Sequence, residues 1–307
     1  MDRDNNNISN RDWCDNPYLY RNEIIELIKQ SANDSLNAKL DFKNVDIKFL
    51  STFPDLTVEL NNLTITGTKE FENIVLSNVK SLSIHVDINS ILFDEQYKIK
   101  SIQLSAPYFY IKVNKNGFAN YDIIKTDSAS TELKTQEKES TSSFSLALES
   151  VEFKNATIVY DDDYYTTHFK LNDFNHKSSI VLNDGVYLLN TLTKVNSLSF
   201  GYDGIDYLQN INTSIDSDID VLMSDHSLKI NIKENEASLS LLSLGFNGWF
   251  EMLEDEYKMD LSFFTNSPEL KGLLSVFPGA ITDDFEQVES NGNITLNGEL
   301  KGVYSDT

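Results

Sequence analysis

The sequence predicts a mainly-β protein: one long, curled antiparallel sheet with an N-terminal amphipathic helix and a short helix near residues 267–278. Three observations carry this. From Ala38 onward almost every segment alternates apolar with polar residues and is rich in Val, Ile, Thr, Tyr and Phe. Asn, Asp and Gly punctuate these runs at short intervals, as tight turns between strands require. Only two segments carry the three- and four-residue spacing of a helix.

Taken in order, residues 1–16 form a polar tail, too poor in apolar side chains to order itself. It has neither a basic n-region nor an apolar h-region, so it does not read as a signal peptide. The helix over 17–37 opens with Asn16 as N-cap and Pro17 at the first helical position. Tyr20, Ile24, Leu27, Ile28 and Leu36 fall on one stripe, which reads as a core face, with a membrane-surface helix as the alternative. A first β unit spans 38–124, in runs such as "LTVEL", "SLSIHVDI", "IKSIQLS" and "YFYIKV". Lys125 to Ser143 contains no aromatic residue and one leucine, and is expected to be a flexible linker. A second β unit runs from 144 to 307 and is expected to continue beyond the end of this chain. Within it "SPELKGLLSVFPG" predicts the short helix, with Ser267 as N-cap, Pro268 at N1, and Leu270, Leu273, Leu274 and Phe277 at helical spacing.

The stretch "DFKNVDIKFLSTFPDLTVELNNLTITG" alternates like a strand, yet slips phase at Lys43-Asn44 and again at Asn61-Asn62. A slip of one residue throws later side chains onto the opposite face of a sheet. Folded as a hairpin in which paired numbers sum to 105, Phe49 meets Leu56, Ile47 meets Val58, Val45 meets Leu60, Phe42 meets Leu63 and Leu40 meets Ile65. The two slips then lie opposite each other. A second hairpin, paired to a sum of 327, sets Ile158 against Phe169, Ala156 against Leu171 and Phe153 against Phe174. Its Lys154-Asn155 then lies opposite Asn172-Asp173, and "FKNVDI" and "FKNATI" read as an internal repeat. A matched slip is either a double bulge that bends one apolar face, the reading preferred here, or an exchange of faces. Phe42, Val45, Ile47, Phe49, Leu56, Val58, Leu60, Leu63, Ile65, Phe153, Ile158, Phe169, Leu171 and Phe174 are the expected apolar face.

Composition narrows the function. Lys and Arg total 25 against 48 Asp and Glu, a formal net charge of −23, and such a field repels nucleic acid and anionic membrane surfaces. The single cysteine, Cys14, excludes an intramolecular disulfide or a multi-cysteine metal site. His85, His168, His176 and His226 are scattered without metal or triad spacing, and His85 reads as a polar-face strand residue. "DDD" at Asp161 to Asp163 lies at a hairpin tip, where turn chemistry accounts for it better than calcium, and "NDG" at Asn183 to Gly185 is a turn signal. No nucleophile elbow, P-loop or dinucleotide fingerprint is present. The expectation is a protein that is not an enzyme and needs no cofactor or metal.

Certain stretches look familiar. "RNEIIELIKQSANDSLNAKLDFKNVDIKFLSTFPDLTVELNNLTITG" is followed in order by "SLSIHVDINSILF", "KIKSIQLSAPYFYIKVNKNGFANYDI", "SVEFKNATIVYDD" and "LKGLLSVFPGAITDDFEQVESNGNITLNGELKGVYSDT". From Tyr20 to Thr307 this collinear series resembles the AsmA family, in the form found in Bacteroidetes-type bacteria. The resemblance implies a repeating β-groove of the kind shared with TamB-like, bridge-like lipid-transfer proteins. It implies a periplasmic protein at the inner membrane, with phospholipid or another lipid and the envelope membranes as partners, engaged in lipid transport and outer-membrane biogenesis. It also implies a transmembrane helix ahead of residue 17, where this chain carries a polar tail, so a fragment or a downstream start site is expected.

Alternation supplies a mechanism. Strands about 4.8 Å apart make a dozen of them a strip on the order of 60 Å long. Acyl chains laid on its apolar face stay out of water at about 0.8 kcal/mol per CH₂. The competing expectation is a surface or adhesion module built as a sandwich, with Tyr108, Tyr110, Phe118 and Tyr121 as a carbohydrate platform.

Overall fold

The computed structural model describes residues 29–30, 33–48, 55–87, 89–90, 97–125, 144–224, 226–253, 255–266, 269–276 and 292–305. Thirteen strands join in one sheet. They are β1 Ala38–Asp41, β2 Asn44–Lys48, β3 Asp55–Gly67, β4 Val75–Asp87, β5 Tyr97–Val113, β6 Phe144–Asp162, β7 Thr167–Asn183, β8 Val186–Tyr202, β9 Ile205–Met223, β10 Ser227–Leu239, β11 Leu242–Leu253, β12 Glu256–Thr265 and β13 Asn297–Ser305. From β3 to β13 each strand pairs with the next in the chain, and β1 and β2 both pair with β3. The two thus form one edge strand, broken at Phe42-Lys43.

Short polar turns produce this meander. Asp184-Gly185 and Asp203-Gly204 lie at φ 49 and 80 and at φ 50 and 75, the two left-handed positions of a type I′ hairpin turn. All neighbours are antiparallel except β5 and β6, which run parallel. A parallel pair cannot close through a hairpin, so the connection after β5 is longer than a turn. Its described portion crosses beside the N-terminal segment, where Asn37 N donates to Ile123 O at 2.6 Å and Lys125 N to Ser35 O at 3.1 Å. Beyond Lys125 the segment that reads as a linker lies outside the described residues, and β5 and β6 on either side of it are direct neighbours.

The first hairpin has the register that alternation predicts: Leu40 faces Ile65, Val45 faces Leu60 and Ile47 faces Val58. The second is displaced by two residues, with Ile158 on Leu171, Tyr160 on Phe169 and Phe153 on His176, and by three at the bulge, where Ala156 lies on Phe174. Its turn is the reason. Asp162 faces Thr167 across a four-residue loop, and its carboxylate accepts the backbone N–H groups of Tyr164 and Tyr165 at 2.8 Å each and the Tyr160 hydroxyl at 2.7 Å. A displacement of two conserves the face on which each side chain lies.

Of the two expected helices, residues 17–28 and 31–32 lie outside the described residues, while 29–30 and 33–35 are helical. Lys29 closes over β1, pairing with Asp41 at 2.6 Å and standing 5.0 Å from the Phe42 ring. Leu36 no longer belongs to the helix and bridges Ile124. The second helix, α1, is Leu270–Leu274. It begins after Glu269, which is held extended by a bridge to Asn293, while Leu270 N donates to Gly292 O at 3.0 Å. Ser267, Pro268 and Phe277 lie outside the described residues.

Candidate functional site: the apolar face and its crease

Alternation in each strand, combined with register between strands, sorts side chains into rows that cross the sheet. One row contains Leu63, Val79, Pro107, Ala156, Phe174, Val195, Thr213, Leu239 and Leu242, from β3 to β11. Beside it run Ile65, Ser77, Phe109, Ile158, Leu171, Leu198 and Ile211. On its other side run Leu60, Leu82, Leu104, Phe153, His176, Thr193, Ile215, Ala237 and Leu244. Val79 is 1% exposed and Ala156 0%, the deepest points of the face.

The phase slips recur from strand to strand across the sheet. Asn62 in β3, Ala106 in β5, Asn155 in β6, Asp173 in β7 and Asn210 in β9 all have φ between 45 and 54, the left-handed region. In β4 and β8, Lys80 and Asn196 occupy the same level, and the ladder skips Asn62 opposite Lys80, Lys80 opposite Ala106, and Asp173 opposite Asn196. Asn and Asp accept this backbone because their short side chains bond locally. Asp173 accepts from Asn175 Nδ2 at 3.0 Å and from Asn196, and Asn155 N donates to Asn175 Oδ1 at 2.9 Å. Bulges bend a strand; these crease the sheet in steps, for Asn62, Ala106 and Asn155 lie on one side of the row through Val79 and Ala156, and Asp173 and Asn210 on the other, so that Asn155 meets Asn175 and not the expected Asn172-Asp173.

The crease leaves the apolar residues on one side. Phe42 and Val45 flank the slip of the first strand, Leu60 and Leu63 that of the second, and all four pack in one cluster with Val79. Residues on opposite faces of a single sheet do not touch, so the slip is a bend and not an exchange of faces. A second cluster joins Leu171, Val195 and Leu198 with Ile158, Phe169 and Phe174. Phe153 lies edge-on to Phe174, with ring centroids 5.9 Å apart. Of the expected apolar residues, Leu56, Val58 and Ile65 are half-buried, Ile47 is 39% exposed on the edge strand, and Phe49 lies outside the described residues.

The sheet is a single layer. Each strand makes its substantial contacts only with its hydrogen-bonded neighbours, and α1 touches β11. No second sheet of a sandwich lies among the described residues. The opposite face is polar around β3 and β4: Glu59 accepts from Ser81 Oγ at 2.8 Å and pairs with Lys48, which with Ser81 holds its carboxyl below the usual range. His85 meets Thr57 there at 3.1 Å. Tyr108 and Tyr110 alternate with apolar Phe109, and Phe118 and Tyr121 lie on the crossover. Burial and the Asp161 carboxylate push the Tyr110 phenol up to about 12, so it is neutral at physiological pH. Among the described residues no group of three or more His, Cys, Asp or Glu side chains is placed to hold a metal ion.

Sequence reasoning missed the role of one stretch of this face. "FNHKSSI" places His176 and Ser178 in phase with Phe174 and Ile180, so the apolar face carries an imidazole and a hydroxyl. The signal was the phase itself, since these polar residues occupy apolar-phase positions.

No helix among the described residues is long and apolar enough to cross a membrane. The model of the AsmA family matches residues 17–247, well over half of the chain. No curated protein and no solved structure matches it.

Proposed function

The chain belongs to the AsmA family, an envelope-associated family whose members are generally not enzymes, and from that premise we propose that its apolar face holds the acyl chains of envelope lipids. The observation that supports this reading is the row from Leu63 to Leu242, carried through nine strands of a single-layered sheet. An apolar face that wide needs a partner, and acyl chains supply one whose position along the sheet is not fixed. Twelve strands in line at about 4.8 Å make a strip on the order of 50 Å. Each CH₂ laid on it gains about 0.8 kcal/mol over water, so a chain moves from one stretch to the next with little net cost. Headgroups remain at the solvent side. On this reading the protein supports lipid transport and outer-membrane biogenesis at the periplasmic side of the inner membrane and performs no chemistry.

The test is extraction of the purified chain with organic solvent, followed by mass spectrometry and titration with a fluorescent fatty acid. Phospholipid in the extract and saturable uptake of the probe are expected. Lipid-free protein that takes up no probe would defeat the reading.

A further inference from the structure

The apolar rows change chemistry along the sheet. In β3 to β6 the row beyond Leu60 reads Val58, Ile84, Ile102 and Val151; in β7 to β9 it continues as Ser178, Thr191 and Ser217. All three hydroxyl residues are buried. His176 stands between this polar stretch and the aromatic cluster. Its ring stacks on Phe174 at 6.1 Å and 8°, and lies edge-on to Phe153 at 6.2 Å. One ring nitrogen, Nδ1, is 2.8 Å from Thr193 Oγ1. Nε2 has no hydrogen-bond partner among the described residues.

We propose that His176, with Thr193 beside it, is an anchoring site for the acid group of an anionic acyl amphiphile whose chain lies on Phe174, Phe153 and Phe109. The inference rests on the acyl-chain reading of this face and adds to it a fixed headgroup position and a dependence on pH. The aromatic chain is continuous, since Phe109 and Phe153 are themselves in edge contact at 6.4 Å. The side chains that face His176 on this side, Phe153 from β6, Phe174 and Ser178 from β7, and Thr191 and Thr193 from β8, carry no charge. Among the charged residues of the same strands, Glu152 and Lys154 beside Phe153, Lys177 beside His176 and Lys194 beside Thr193 occupy alternate positions on the other face, where Glu152 and Lys154 pair at 3.2 Å. An anion arriving here therefore meets no built-in cation and gains one only by protonating the imidazole. Burial holds that imidazole below its ordinary value in the free chain, so anion binding and proton uptake are coupled, and binding tightens as pH falls.

The experiment titrates the full chain with two dansylated undecyl probes, a sulfonate that stays anionic throughout and an uncharged alcohol, at pH 8.0 and 5.5. Each unit by which bound and free His176 differ in pKa is worth about tenfold, so the sulfonate should bind roughly five- to tenfold tighter at pH 5.5. The alcohol should bind alike at both. H176Q should flatten the sulfonate profile, and saturable alcohol binding by the same variant, whatever its affinity, shows that the face is still formed. A sulfonate profile as flat as that of the alcohol, or unchanged in H176Q, would overturn the anchoring site alone. Failure of both probes to bind at either pH would overturn the acyl-chain reading and this inference with it.

Discussion

The stretches β3–β5 and β7–β9 share one sheet and one set of rows, yet they line the same face differently. In β3–β5 the rows beside the crease hold Leu60, Leu82 and Leu104, then Val58, Ile84 and Ile102. In β7–β9 the corresponding positions hold His176, Thr193 and Ile215, then Ser178, Thr191 and Ser217. Strand geometry alone does not decide what a face of this kind accepts. The first stretch presents only hydrocarbon on this face; the second adds an imidazole and hydroxyls to it.

The sharpest way to break the comparison is to remove an interaction made with each stretch, Phe42 packing on β3 and β4 and Thr191 bonding within β7–β9. Phe42→Ala empties the cluster under Lys29 and should cost about 3–5 kcal/mol. Thr191→Val keeps the shape but removes the hydroxyl that bonds Ser217 O at 3.0 Å, and should cost only about 1 kcal/mol. Urea unfolding of both variants checks this, and equal losses would mean that the two stretches are held together in the same way.

The crease offers the next test. Ala106 sits at φ 45 with no side-chain bond to compensate, so Ala106→Gly should stabilise the chain by about 1 kcal/mol. Asn62→Val, which puts a β-branched residue at φ 53, should destabilise it by about 1–2 kcal/mol. If both changes prove neutral in denaturant titration, the left-handed line is not a strained feature of the sheet.

A smaller effect separates the stretches by pH. Burial depresses the His176 imidazole below 6.5, so the unfolded chain takes up its proton first as the solution is acidified. The contribution to stability from keeping His176 neutral is complete above about pH 6.5 and is lost as pH falls below it. Between pH 7.5 and 5.0 the melting temperature should fall, and H176Q should fall less. A variant that follows the parent curve point for point would show that His176 does not titrate differently on folding.

Much of this was legible in the residues. The first hairpin could be aligned because both slips, Lys43-Asn44 and Asn61-Asn62, lie on strands close together in sequence, and one register satisfies both. The second could not, because "DDDYYTT" allows two turn centres and only the capping carboxylate of Asp162 chooses between them. The parallel pairing of β5 with β6 left no trace in alternation, which reports the face of a strand and not its direction. The continuity of the crease was equally hidden. Lys80 and Asn196 carry no left-handed backbone themselves and join the line only through their neighbours.

The central claim is that one face of the sheet carries lipid and the other does not. A photoreactive phenylalanine analogue placed at Ile84 or Ile102 stands on the apolar face, and one at Ser83 stands on the polar face of the same strand pair. After irradiation in living cells, intact mass of the purified chain should show lipid adducts at Ile84 and Ile102 and none at Ser83. Adducts at all three positions, or at none, would contradict the account.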